Sequence, residues 1–441
     1  MQSVTTVLDR SDIQGFVLRG YRMPYAAYLF YRFTDGPAAR AWLAGMVDPV
    51  TTAEEWEAKP PWCANVALTY PGLEALGLPA TSLESFPEDF RQGMAARADA
   101  GHLGDVGEDL PDHWEREPPF AARGVHAMLM ISANDKGQLG QQLRAFREQA
   151  STAGGLTEVG CQRAAALGGA HAGREHFGFR DDISQPVLRD SGPEEDDSPH
   201  PLQVAAGEFL LGHRDEVGQA HMPDPADLGR NGTYAVYRKL SQDVPAFRRF
   251  LRDEGGAAPD LLAAKMLGRW PSGAPLVLAA EADDPGLAAD PQHNNDFHYA
   301  DDRFGFRCPR GAHVRRALPR KNPLTERRHR LIRRGLTYGR ALDADAPDDG
   351  AERGLVGVFL NASIERQYEF VQRVWINAQR FDGLENEPDP ITGPGGGDFT
   401  WQGWLPRRLK DLPRFVTVRG GEYFFVPSIT ALRFLSGTSA P

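Results

Sequence analysis

Two related segments, roughly two hundred residues apart, constrain the fold of this chain more than any other feature. Residues 28–43 read YLFYRFTDGPAARAWL, and residues 234–251 read YAVYRKLSQDVPAFRRFL. Each opens on Tyr-x-x-Tyr-Arg, at Tyr28, Tyr31 and Arg32 and again at Tyr234, Tyr237 and Arg238. Each then runs Pro-Ala-x-Arg-x-aromatic-Leu, from Pro37 to Leu43 and from Pro245 to Leu251. The aromatic stretch suits a strand, and a proline followed by helix formers suits a helix entered at its first turn. A repeated strand–helix unit predicts an α+β protein of two similar lobes, here residues 1–200 and 201–441. The acidic, proline-containing stretch 189–201 reads as the linker between them or as a long exposed loop.

Short apolar runs bounded by turn residues add candidate strands at 65–70, 126–133, 207–213, 354–362 and 422–428. Helices are expected over 135–150 and 363–378. In the second, Ile364, Tyr368, Phe370, Val371, Val374 and Trp375 share a broad face at helical spacing. Segments 341–354 and 387–398 carry loop composition. No GxGxxG follows a strand, so antiparallel sheets with flanking helices are expected rather than a dinucleotide-binding fold.

The 441 residues hold 49 Lys and Arg against 60 Asp and Glu, a net charge of −11. That balance opposes a general nucleic-acid or anionic-membrane binder. Three scattered cysteines exclude a disulfide scaffold and any iron–sulfur spacing. With no membrane-length apolar run and no visible export signal, a cytoplasmic, reduced protein is expected.

Against this acidic background stands a basic block. Eleven arginines and Lys321 lie between Arg303 and Arg334, interrupted by Cys308-Pro-Arg-Gly-Ala-His313 and by Leu331-Ile332. The interruptions suggest partial burial, with arginines directed at intramolecular acids or at a cofactor bearing carboxylates. In GREHFGFRDDISQP (173–186), Gly178 would let the backbone approach a flat object. Asp181 and Asp182 are adjacent carboxylates, for which a turn role is the ordinary explanation. The pairs His171/His176 and His293/His298 fit no metal spacing. His313, hemmed by arginines, is disfavoured from protonation, and a neutral imidazole suits a metal ligand. Composition and spacing leave the function open at this point.

Taken together, the motifs resemble those of the dye-decolorising peroxidases, haem peroxidases built from two ferredoxin-like lobes. DIQGFVLRGY (12–21) resembles the family's opening motif, and EHFGFRDDISQP its distal GxxDG loop. CPRGAHVRRALPR (308–320) is similar to its proximal-histidine segment, RLIRRGLTYG (330–339) to its distal-arginine segment, and GGEYFFVPS (420–428) to its closing strand. The resemblance implies haem b, bound mainly in the C-terminal lobe. It makes His313 the axial iron ligand, Asp181 the distal acid/base and Arg333 the distal arginine, with Arg315 reaching a propionate. A carboxylate behind His313 is expected, from Asp389, Glu387 or Asp398. Tyr338 and Trp375 are candidates for carrying electrons from bulky donors, with Trp401 and Trp404 as exposed alternatives. Asp182 stands where the family usually has glycine. It tolerates left-handed backbone, and its charge would raise the pKa of Asp181 unless an arginine offsets it.

The implied activity is reduction of hydrogen peroxide with one-electron oxidation of dye-like or phenolic donors. The alternative is a haem carrier or sensor with little turnover, which the Asp182 departure keeps open. A nucleic-acid module on residues 303–334 fits the charge balance poorly.

Overall fold

The computed structural model describes residues 8–189, 203–344 and 346–438. Strands β1 (Tyr25–Phe33), β2 (Trp62–Leu68), β3 (Ala127–Ala133) and β4 (Leu156–Ala165) build one half of an antiparallel sheet. Strands β5 (Thr233–Gln242), β6 (Ile332–Arg333), β7 (Leu336–Tyr338), β8 (Gly354–Asn361) and β9 (Val416–Val426) build the other. The order is β4-β1-β3-β2-β9-β5-β8-β6, with β7 also on β8. The halves join where Phe425 of β9 pairs with Leu68 of β2.

The two repeat segments fold alike. β1 leads into helix α1 (Gly36–Met46), and β5 leads into a second such helix after α2 (Lys136–Ala153), namely α3 (Val244–Gly255). Asp35 caps α1 by accepting from the Ala38 N–H at 2.8 Å. Asp243 caps α3 by accepting from the Ala246 N–H at the same distance. Each helix has proline in its first turn, where the missing N–H costs nothing. The sheet curls until its ends meet, and Thr337 Oγ1 of β7 donates to the Ala165 carbonyl of β4 at 2.6 Å. Curling brings the repeat tyrosines together, with Tyr28 and Tyr237 edge-on at 5.7 Å and Phe30 against Tyr237 at 5.1 Å.

Three expectations need correction. Residues 207–213 form no strand: the Leu210 N–H bonds the Ala206 carbonyl and Gly212 takes φ +77°, so this buried apolar run is a turn. The 363–378 segment is helical but π-wound over Glu365–Glu369 and Val371–Ile376. The wider turn splits the expected face: Ile364 and Tyr368 enter the main core, whereas Val371 and Trp375 form a separate cluster. The closing strand starts earlier than expected, at Val416, through a register shift between Val418 and Gly420. Most of the expected 189–201 connection lies outside the described residues. Among the described residues no helix is long and apolar enough to cross a membrane.

Glu422 is an exception to the apolar character of β9. It is buried, accepts the Met94 N–H (2.9 Å) and its neighbour Tyr423 N–H (2.8 Å), and burial pushes its carboxyl up to about 7. A folded-state pKa above the unfolded 4.5 gives a stability contribution that is complete below the unfolded value and is lost as pH rises through about 7. The full swing is about 3 kcal/mol. Glu422→Gln should therefore flatten the fall in melting temperature between about pH 5 and pH 8. The check is calorimetry of both proteins across that range.

Candidate active site

A cavity of about 630 Å³ opens between the curled sheet and the C-terminal loops, within the range of cofactor pockets. Asp181, Arg333 and His313 all line it.

His313 begins the short helix α5 (His313–Ala317), placed here after the α4 helix Pro259–Leu267. Its Nδ1 lies 2.9 Å from Asp389 Oδ2. The imidazole is 27% exposed, toward the cavity it lines, while the Asp389 carboxylate is fully buried. Asp389 Oδ1 is held in turn by the Ile391 N–H (2.9 Å), the Thr392 N–H (2.8 Å) and the Thr392 hydroxyl (3.2 Å). Burial pulls the imidazole pKa down, and the charge and hydrogen bond of Asp389 more than reverse this, for a net rise. Burial would raise Asp389, but His313 and Arg316 leave it below the usual carboxylate range. Two of the three candidate carboxylates are otherwise engaged. Glu387 accepts from the Thr400 N–H and hydroxyl, and Asp398 pairs with Arg408 at 2.8 Å. Arg316, buried in the same helix, donates to the carbonyls of Glu387 and Ala378 at 2.7 Å, which ties α5 to the chain leading into Asp389.

The 173–185 loop is folded by Glu175. Its carboxylate accepts the Phe177 N–H at 2.8 Å, the Phe179 N–H at 3.0 Å and the Gln242 amide at 2.6 Å. Arg174 closes the turn onto the Gly178 carbonyl at 2.6 Å. Asp181 then projects 52% exposed, with Oδ1 3.6 Å from Arg333 Nη1. Arg333 ends β6, and its Nη2 donates to the Ile183 carbonyl at 2.7 Å.

Two expected cofactor contacts are elsewhere. Gly178 does not line the cavity; its φ of +100° serves the turn. Arg315 is spent on Asp302 (3.1 Å) and the Cys308 carbonyl (2.7 Å) and lies over cavity-lining Tyr299 without itself lining the cavity. The arginine that sequence reasoning missed is Arg330. It lines the cavity at 7% exposure, its Nε has no hydrogen-bond partner, and no ion pair reaches it among the described residues. Burial, with the charge of Arg320 beside it, pushes its guanidinium down to about 9 against the attraction of Glu326. Arg320 and Arg269 also line the cavity and, among the described residues, bond only carbonyl oxygens, of Asn295 and Phe297 and of Gly273, Asn294 and Asn295. Buried cations without carboxylate partners are costly. A ligand bringing its own carboxylates to an apolar slot would offset that cost, so these residues fit haem.

Tyr338 is buried. Its hydroxyl donates to Glu352 at 3.0 Å and its ring lies 4.9 Å from Lys239 Nζ. Trp375 is buried against Phe370 and His329, and His329 lines the cavity. Trp401 is half-buried, whereas Trp404 is 95% exposed.

The fold and the cavity define an α+β barrel with a carboxylate-backed histidine on a cation-lined apolar slot. Comparison with known proteins agrees. The family model for the DyP dimeric alpha+beta barrel domain matches residues 12–164. A dye-decolorizing peroxidase of Exidia glandulosa is 31% identical over 98% of this chain and 88% of its own length. The multifunctional dye peroxidase DyP2 of an Amycolatopsis strain is 30% identical over 98% of this chain and 96% of its own. Among solved structures, an ancestral D-type dye decolorizing peroxidase superposes with a TM-score of 0.83 at 30% identity, covering 98% of this chain and all of that one. A dye-decolorizing peroxidase in complex with 2,6-dimethoxyphenol gives 0.83 at 29% identity, over 98% of this chain and all of that one. The chain belongs to the dye-decolorising peroxidases, haem b enzymes that act on hydrogen peroxide.

Proposed function

We propose that this peroxidase reduces hydrogen peroxide with Asp181 and Arg333, holds iron through His313, and oxidises phenolic or dye-like donors in one-electron steps. The observation that carries the proposal is that His313, backed by Asp389, lines the same cavity as the Asp181–Arg333 pair. When bound, haem b supplies the redox iron at which the O–O bond is broken. Asp181 takes the proton from one peroxide oxygen and returns it to the other, directly or through one water. Arg333 stabilises the negative charge that develops as the bond breaks. Asp389 fixes the His313 tautomer, with the proton on Nδ1 and Nε2 left to ligate, and raises its basicity. Arg330, Arg320 and Arg269 would hold the propionates, the role first expected of Arg315. Trp375, in contact with cavity-lining His329, and Tyr338, whose phenolic proton has Glu352 to receive it, are the routes for electrons from donors too large to enter.

One-electron chemistry balances as one hydrogen peroxide and two phenols giving two phenoxyl radicals and two waters. Mixing peroxide with 2,6-dimethoxyphenol should generate a donor radical seen by spin trapping. Donor oxidation with no trapped radical would contradict it.

Arg330 provides a test in which two signs oppose. Arg330→Met removes a buried charge that desolvation disfavours more than Glu326 favours it, so the haem-free chain should melt higher. Its haem affinity should fall about 10- to 100-fold, the value of a charged hydrogen bond. A haem titration and a melting curve of the haem-free protein check both.

A further inference from the structure

The loop around Asp182 bears on the distal arginine in a way the motif does not foretell. Asp182 sits at φ +62°, a left-handed conformation that aspartate, asparagine and glycine adopt with least strain. Its carboxylate turns toward Gln185 and accepts the side-chain amide N–H at 3.0 Å. The other end of that amide, Gln185 Oε1, accepts the backbone N–H of Arg333, also at 3.0 Å. A carboxylate can only accept, and a backbone N–H can only donate, so the two contacts permit one orientation of the Gln185 amide. Asp182 supplies half of that constraint. Arg333 is a short-strand residue that pairs with Phe359 on one side. On the other side its backbone rests on Gln185 and its guanidinium on Ile183, both from the Asp182 loop.

We propose that Asp182 is a positioning residue for Arg333, acting through Gln185: it orients the amide that anchors the arginine's backbone beside Asp181. The inference rests on the proposed role of Arg333 for its catalytic consequence, but not for its structural one. In a loop with glycine at this position, the amide N–H would have water in place of a fixed acceptor. The second carboxylate of this motif is thus engaged in holding the distal pair together.

The test is a double-mutant cycle on the full chain, read in two ways. The variants are Asp182→Gly, Asp182→Asn, Gln185→Ala and the Asp182→Gly/Gln185→Ala double. The first readout is amide hydrogen exchange of the peptide containing Arg333. The second is the rate of Soret change when the haem-loaded protein meets hydrogen peroxide. An exposed hydrogen bond of this kind corresponds to about a two- to tenfold change. Asp182→Gly should speed Arg333 exchange and slow the peroxide reaction by that factor, with haem affinity unchanged. Asp182→Asn, which keeps both an acceptor and the left-handed backbone, should restore both. In the Gln185→Ala background Asp182→Gly should change neither, since the link it acts through is gone.

Unchanged Arg333 exchange in Asp182→Gly overturns the proposal. So does an equal loss in Asp182→Asn, which would make charge the cause, and so does a full effect of Asp182→Gly without Gln185, which would make loop flexibility the cause. If the unmodified haem-loaded protein ignores peroxide, the functional proposal fails, and the exchange cycle still decides the Asp182 link.

Discussion

Asp181→Asn should slow the reaction with hydrogen peroxide by about 10²- to 10⁴-fold, the range for removing a positioned acid/base. Asparagine fills the same space and can still face Arg333, whose Nη1 lies 3.6 Å from the present carboxylate. It cannot take a proton from one oxygen and give it to the other. The defect should therefore fall on the peroxide step, with haem retention and donor KM unaltered. Arg333→Leu should cost about 10²- to 10³-fold at the same step, because a preorganised charge is lost rather than a proton carrier. Because the two side chains face each other, their losses should combine less than additively. Rapid mixing of the single and double variants with peroxide measures this.

His313→Ala should abolish retention of haem through purification. His329, the other imidazole on the cavity, is no ready substitute: it is held by the Arg366 carbonyl at 2.5 Å and stacked on Phe370, and Asp389 is buried behind the His313 position. Asp389→Asn gives the graded counterpart. It keeps the hydrogen bond to Nδ1 but removes the charge that raises the imidazole pKa, and second-shell changes of this kind cost about 10- to 100-fold in metal affinity or activity. Exogenous imidazole should partly restore the haem spectrum of His313→Ala and do nothing for Asp389→Asn. Full haem content in His313→Ala would show that another residue holds the iron.

The parts of this account legible in the sequence are those tied to local pattern. The tyrosine–arginine–proline repeat foretold two strand–helix units, because strand propensity and a proline-led first turn are properties of neighbouring residues. Four of the five motif segments contribute residues to one cavity, whereas the closing-strand motif at 420–428 contributes none. Asp389 was one of three nearby carboxylates, and only tertiary contacts separate it from Glu387 and Asp398, which Thr400 and Arg408 occupy. Arg315 and Arg330 are alike as sequence: both are arginines in a basic block. They differ in that Asp302 pairs with Arg315 at 3.1 Å, while Arg330 faces the cavity with its Nε unbonded and no ion pair among the described residues. The 207–213 run was apolar enough for a strand, but burial can be met by a turn when glycines allow it. The π-winding of 365–376 leaves no periodic signature in so short a segment. The use of Asp182 was hidden because its partner, Gln185, gains meaning only from Arg333, far along the chain.

The central claim is that the cavity holds a haem whose iron is bound by His313 and attacked by peroxide beside Asp181 and Arg333. The most direct measurement is the Soret band of the haem-loaded protein on rapid mixing with one equivalent of hydrogen peroxide, followed by a phenolic donor. The account predicts a fall in the band within seconds and its recovery once the donor is added. A Soret band indifferent to peroxide would contradict it.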